Sequence, residues 1–289
     1  MGNEIRACVV LAAAFLAATP LRAGAPSAPP SADEAIHRAC DSAGGLDAFR
    51  GLGILAIEVS SEEVAQDGHT GSRHTNLFFL APGPVPGRLE FPDSNVVLGD
   101  DGHGGWGVIR EHADGRPTTT FMVKRSLTNY LFPILLPFSL VWDGVSVTDV
   151  SAATVSGKSV WRLSVSLPHT FFDTSQIANR WTVDLDRDTF ALVRAESPAT
   201  DLGKGVTADG MRFARHGAVQ LGDVRFPSEQ QLIGLDQDGR EKTHTRLDHL
   251  KYRQLPDSEA ARLFGNPIPP DQRPKPFKPQ FPAAPPTKS

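Results

Sequence analysis

ILAIEVSSEEV, residues 54–64, alternates apolar and polar side chains with a period of two. Leu55, Ile57 and Val59 fall on one side of such a segment, the signature of a β-strand with one buried face. The pattern recurs along the chain. SRHTNLFFLAPG (72–83), RLEF (88–91), SNVVLGDDG (94–102) and GWGVIREH (105–112) follow, each bounded by Gly, Pro or Asp-Gly. Later come VSVTDV (145–150), SVWRLSVSL (159–167), NRWTVDLD (179–186), TFALVRAE (189–196), MRFARHGAVQL (211–221), RFPSEQQLIGL (225–235) and REKTHTRLDHLKYRQL (240–255). The linkers are short, so neighbours are expected to pair as antiparallel hairpins and meanders.

Helical signals flank these strands. Ser31-Ala32-Asp33-Glu34 is a capping box, in which the serine hydroxyl and the glutamate three positions on satisfy free N–H groups. The helix it opens runs through Ala35, Ile36, Ala39 and Cys40 and stops at Gly44-Gly45, where left-handed backbone is cheap. A short turn, LDAFR, ends at Gly51, and DSEAARLF (257–264) is expected to close the folded part as a helix.

The chain has 289 residues, 40% hydrophobic and 21% charged, enough to bury a sizeable core, and all-β units of this size occur as one domain. A formal charge of −4 argues against a nucleic-acid binder, which normally carries a strongly basic face. Residues 1–23 have the layout of a secretory signal peptide, with Arg6, an apolar stretch from Ala7 to Thr19, Pro20 and small residues up to Ala23. That stretch is too short to span a bilayer. Export to the periplasm through a cleaved signal is therefore expected, with 24–30 as linker, 31–265 as the folded domain and 266–289 as a Pro-rich disordered tail. Cleavage removes Cys8 and leaves Cys40 alone, without an internal disulfide, in a packing role. The tail carries Arg273, Lys275, Lys278 and Lys288 against Asp271. It is either a solvated arm or one that touches an anionic surface or an envelope protein.

No catalytic or cofactor signature stands. Gly157-Lys158-Ser159 resembles the end of a phosphate loop, but Ala152 replaces the required glycine and a strand follows where a helix is needed. Asp184, Asp186 and Asp188 have calcium-loop spacing, but Thr189 and Ala195 occupy the glycine and glutamate positions, so a hairpin turn is expected. Nine histidines include no metal-binding pair on a helix. His169, Asp173 and Ser175 on one loop are the best candidates for a hydrolase, a weak alternative without a nucleophile elbow.

LTNYLFPILLPFSLVW (127–142) is uncharged and carries prolines at 133 and 137. It is too short and too broken for a membrane span. It either fills a dry core or covers a cavity.

The order of these pieces resembles the LolA-like family of periplasmic lipoprotein carriers and related lipid-binding envelope proteins. The likeness lies in GGLDAFRGLGIL before the first strand and in APGPVPGRLEF, similar to the family's Pro-Gly-x-x-Arg strand start. It continues through LGDDGHGGWGV, the proline-broken segment, VSGKSVWRLSVSL with RWTVDLDRDTFALVRAE, QLGDVRFPSEQQL and LDHLKYRQLPD. The resemblance implies a mainly β fold: an incompletely closed antiparallel barrel or strongly curved sheet of about 10–12 strands, with an N-terminal helix and short helices over its open mouth. It implies a cavity for acyl chains of a lipid or lipoprotein, covered by 127–142, and no enzymatic activity. Tyr130, Phe132, Leu135, Leu136, Phe138 and Trp142 would then line it from the cover, and Leu77, Phe79 and Trp106 from the sheet. Arg88 stands at the strand start that matches the family's lid-latching arginine. The alternative is an envelope interaction or sensing module on the same fold.

Overall fold

In the computed structural model the described residues are 28–65, 67–81, 86–102, 105–109, 130–167, 180–201, 207–208 and 210–267. The expected signal peptide, the basic residues of the tail, residues 127–129 of the apolar stretch, and His169, Asp173 and Ser175 lie outside them. In chain order the elements are α1 (Ala32–Ser42), α2 (Leu46–Arg50), β1 (Ile54–Ala65), β2 (His74–Leu80), β3 (Gly87–Phe91), β4 (Val96–Asp100) and β5 (Gly105–Ile109). Helix α3 (130–135) follows, with a 3-10 turn over Phe138–Val141. Then come β6 (Ser146–Val155), β7 (Lys158–Ser166), β8 (Arg180–Asp186), β9 (Leu192–Ser197), β10 (Thr200–Asp201), β11 (Thr207–Ala208), β12 (Gly210–His216), β13 (Val219–Leu221), β14 (Val224–Phe226), β15 (Glu229–Leu235) and β16 (Glu241–Leu255). The last is α4 (Ala260–Phe264).

β1 and β16 pair antiparallel along the whole of β1, from Ile54 opposite Leu255 to Ala65 opposite His244. They sit in the middle of a 12-stranded sheet ordered β5-β4-β3-β2-β1-β16-β15-β12-β9-β8-β7-β6. Every pairing in it is antiparallel. The edge strands β5 and β6 do not pair with each other, so the sheet stays open.

The expected strand 211–221 is cut at Gly217, whose φ of 60° takes the chain out of the sheet, and 225–235 is cut at Pro227. The pieces β13 and β14 form a hairpin of their own. The Arg225 N–H donates to the Ala43 carbonyl at 2.8 Å, tying that hairpin to the end of α1. Gly44, at φ 111°, makes this possible, because a Cβ there would lie 2.1 Å from the Asp223 carbonyl oxygen. The Ser31 hydroxyl accepts from the Glu34 N–H at 3.1 Å, as a capping residue should.

Leu55, Ile57 and Val59 point into the concave side with Phe78, Leu80, Leu89, Leu98, Leu163, Trp181, Val183, Phe213 and Leu250. Residues of α1, α2, β14 and 131–142 complete that core. The convex side is also covered in part. Ile54, Ala56 and Phe79 lie under Leu263 and Phe264 of α4, joined by Leu77 and Leu255.

The Asp-rich turn is filled by its own hydrogen bonds. Asp186 Oδ1 accepts from the N–H groups of Asp188 and Thr189 and from the Thr189 hydroxyl, at 2.9–3.1 Å. The bonds from Thr189 and Asp188 hold its carboxyl below the usual carboxylate range. Ser156 and Gly157, both with positive φ, make the β6–β7 hairpin turn at the place of the phosphate-loop likeness. Cys40 is a free, buried thiol whose pKa burial pushes up to about 12, a packing residue.

Candidate ligand cavity and its cover

Residues 130–142 lie across the concave face, and 131–140 are all buried. Pro133 stands inside α3, with helical residues on both sides, and does not break it. The chain turns at Leu136-Pro137, a cis peptide, and continues as the 3-10 turn.

A helix that ends leaves its last carbonyls without intrahelical donors. Here two side chains supply them. The Ser139 hydroxyl, fully buried, donates to the Phe132 carbonyl at 2.8 Å. Arg215 of β12 donates Nη1 to the Leu136 carbonyl and Nη2 to those of Pro133 and Ile134, at 2.5–2.6 Å. A cation at a helix C-terminus also meets the negative end of its dipole. Burial pushes the Arg215 pKa down to about 10, so the guanidinium remains charged at neutral pH. Arg215 is the residue that fastens the cover to the sheet.

Arg88, expected in that role, sits on the convex side. Its Nε donates to Glu90 at 2.7 Å and its Nη1 to the Leu263 carbonyl at 3.2 Å, so it secures α4. Leu77, Phe79 and Trp106 face that side too. Leu77 and Phe79 belong to the cluster under α4, and Trp106 packs with Val97 over Gly99, where a Cβ would meet its ring at 2.3 Å. The reason is physical: α4 makes both faces of HTNLFFL apolar, so alternation alone does not give the phase. The inward apolar residues of β2 are Phe78 and Leu80.

The cover divides into two halves. Its second half is anchored in core: Phe138 stacks on Phe49 with ring centroids 4.4 Å apart, and Trp142 meets Phe132 edge-on. Leu135 and Leu136 are buried there as well. Its first half borders a cavity of about 180 Å³ lined by Tyr130, Pro133 and Ile134 from the cover and by Phe78, Met211, Phe213, Gln230, Leu232, Arg246 and Asp248 from the sheet. Of the six expected cover residues, Tyr130 is at the cavity and the other five pack in the core cluster. Two further clefts, of about 220 and 300 Å³, adjoin the cover at Pro137 and at Leu140 and Val141.

A polar row runs through this apolar surface. Arg215 of β12 lies opposite Gln230 of β15, Gln230 opposite Asp248 of β16, and Asp248 opposite Ser61 of β1. Asp248 is 1% exposed and well served: it accepts from the Ser61 hydroxyl at 2.7 Å and from Arg246 through both oxygens at 2.9 and 3.0 Å. The Arg246 guanidinium also lies 5.9 Å from the Tyr130 ring centroid. Nothing in the sequence flagged Arg215, Gln230 or Asp248, because their alignment exists only once the register is set.

Among solved structures, a LolA superfamily protein from Nitrosomonas europaea matches with a TM-score of 0.51 at 11% identity, covering 80% of this chain and 97% of that one. The fold is LolA-like. Two more similar structures are a putative outer membrane lipoprotein-sorting protein domain from Vibrio parahaemolyticus and a DUF1329 family protein from Desulfovibrio piger. The first has a TM-score of 0.49 at 12% identity over 78% of this chain and 97% of that one. The second has 0.48 at 11% identity over 80% and 98%. No family model matches the sequence, and no curated protein matches it. The LolA-like sheet here is thus carried by a largely different set of side chains. No helix among the described residues is long and apolar enough to cross a membrane, and none of their His, Cys, Asp and Glu side chains gather in a metal-binding group.

Proposed function

We propose that this protein is a non-catalytic binding or carrier protein of the periplasm that holds an acyl-bearing ligand, a lipid or a lipoprotein chain, beneath the 130–142 cover. The observation that carries the reading is the cover itself: an apolar segment fastened by Arg215 across the concave face of an open sheet, with a cavity under its first half. The cavity of about 180 Å³ is smaller than the roughly 300–1,000 Å³ of ordinary ligand pockets, so on this reading the structure is the closed state. Entry then requires the 130–134 half to swing while the half beyond Leu136 stays anchored on Phe49. An acyl chain gains about 0.8 kcal/mol per methylene taken from water, so a dry cavity holds it without a charged anchor.

Met211 lines the cavity from β12 and is half-buried. Met211→Trp should fill the space and reduce uptake of a fluorescent acyl probe at least about ten-fold with the sheet intact by circular dichroism. Unchanged uptake by a folded variant would place the ligand elsewhere.

A further inference from the structure

The Gln230 side chain is 1% exposed and lines the cavity, yet its Oε1 has no hydrogen-bond partner among the described residues. A buried polar atom left unpaired is costly, and native proteins rarely keep one without use. Its neighbours in the polar row do not serve it. The Arg215 terminal nitrogens are committed to the cover carbonyls, and its Nε makes no bond to the amide. Asp248 offers only acceptor oxygens, already engaged by Ser61 and Arg246. The unmet demand is for a donor, on a side chain that lines the cavity together with the apolar Phe78, Ile134, Phe213 and Leu232. The two charged residues that line the cavity, Arg246 and Asp248, pair with each other, and the Arg215 guanidinium beside Gln230 is engaged by the cover carbonyls.

We propose that the cavity selects acyl ligands whose polar group, next to the chain, is an uncharged hydrogen-bond donor, a hydroxyl or an amide N–H, and that Gln230 Oε1 is its acceptor. This rests on the acyl-binding reading above and assigns the ligand's head chemistry. A carboxylate, ester or ether head carries acceptors only and would leave the Gln230 Oε1 unpaired.

The test uses the mature chain and displacement of a fluorescent acyl probe by matched compounds. N-methylpalmitamide and hexadecan-1-ol carry a donor next to the chain, one as an amide and one as a hydroxyl; N,N-dimethylpalmitamide and methyl palmitate lack one; palmitate is the anion. The two donor compounds should bind about ten-fold or more tighter than the donorless pair, and whichever is tighter identifies the amide or hydroxyl source. Gln230→Met should remove that gap. If this variant does not fold, the wild-type series decides alone. Equal binding of donor and donorless compounds, or tightest binding of palmitate, overturns the assignment and leaves acyl binding standing, with a buried water as the partner of Gln230. Failure of every compound and of the probe to bind overturns the acyl-binding reading itself.

Discussion

At the scale of single residues, Arg215 and Asp186 show how local hydrogen-bond accounting yields measurable behaviour. Arg215 satisfies three carbonyls that α3 and its turn cannot satisfy alone. Arg215→Met keeps the aliphatic bulk and removes the donors. It should destabilise the protein by about 1–3 kcal/mol, the cost of leaving buried acceptors unpaired. In hydrogen exchange the loss of protection should concentrate in 130–142 and spare the paired β1 and β16; uniform loss across the sheet would mean that Arg215 is no latch. Asp186 gives a pH prediction. Its folded pKa is depressed by the bonds from Thr189 and Asp188, below its ordinary 3.8. A depressed carboxyl contributes stability that is present above the unfolded value and is lost as pH falls through the folded one. The urea midpoint should therefore fall below pH ~4 in the wild type, and fall less in Asp186→Asn, which keeps the acceptor and drops the charge. Parallel pH profiles would contradict the assignment.

At the scale of elements, the two faces of the sheet separate ligand from scaffold. Phe78 faces the cavity and Phe79 faces α4, one residue apart. Phe79→Ala, or a chain ending after Leu255, should lower stability without changing the affinity for an acyl probe. Phe79→Ala should cost about 3–5 kcal/mol if the site does not collapse. Phe78→Ala should change affinity directly, and equal effects of the two on binding would refute the division. The strands were legible in the sequence because β1, with Leu55, Ile57 and Val59 inward, has polar Glu58 and Glu62 on its other face. The α1 cap was legible through Ser31 and Glu34. β2 is ambiguous because apolar residues occupy both faces, and the expectation that Leu77 and Phe79 face the cavity fails there. Sequence alone could not pair Arg215 with a cover some 80 positions away in the chain, nor align Arg215, Gln230, Asp248 and Ser61, since both depend on the order of strands that are distant in sequence. The break between β12 and β13 escapes the alternation as well, because a single glycine, Gly217, interrupts what reads as one strand.

At the scale of the molecule, the open edge between β5 and β6 and the central pairing of β1 with β16 give a curved sheet whose ends are free while its middle is closed by the first and last strands. Such an arrangement keeps a rigid floor under a cover held by a few named bonds. The LolA-like fold supplies the concavity, and the side chains of this chain supply the closed cover, the small cavity and the polar row. The central claim is that this cavity holds an acyl-bearing ligand. The most direct measurement is native mass spectrometry of the protein purified from its native cells, before and after solvent extraction. The account predicts an added lipid mass that extraction removes and that Met211→Trp fails to acquire. A clean apo mass, together with no uptake of an acyl probe, would contradict it and leave 130–142 as packed core.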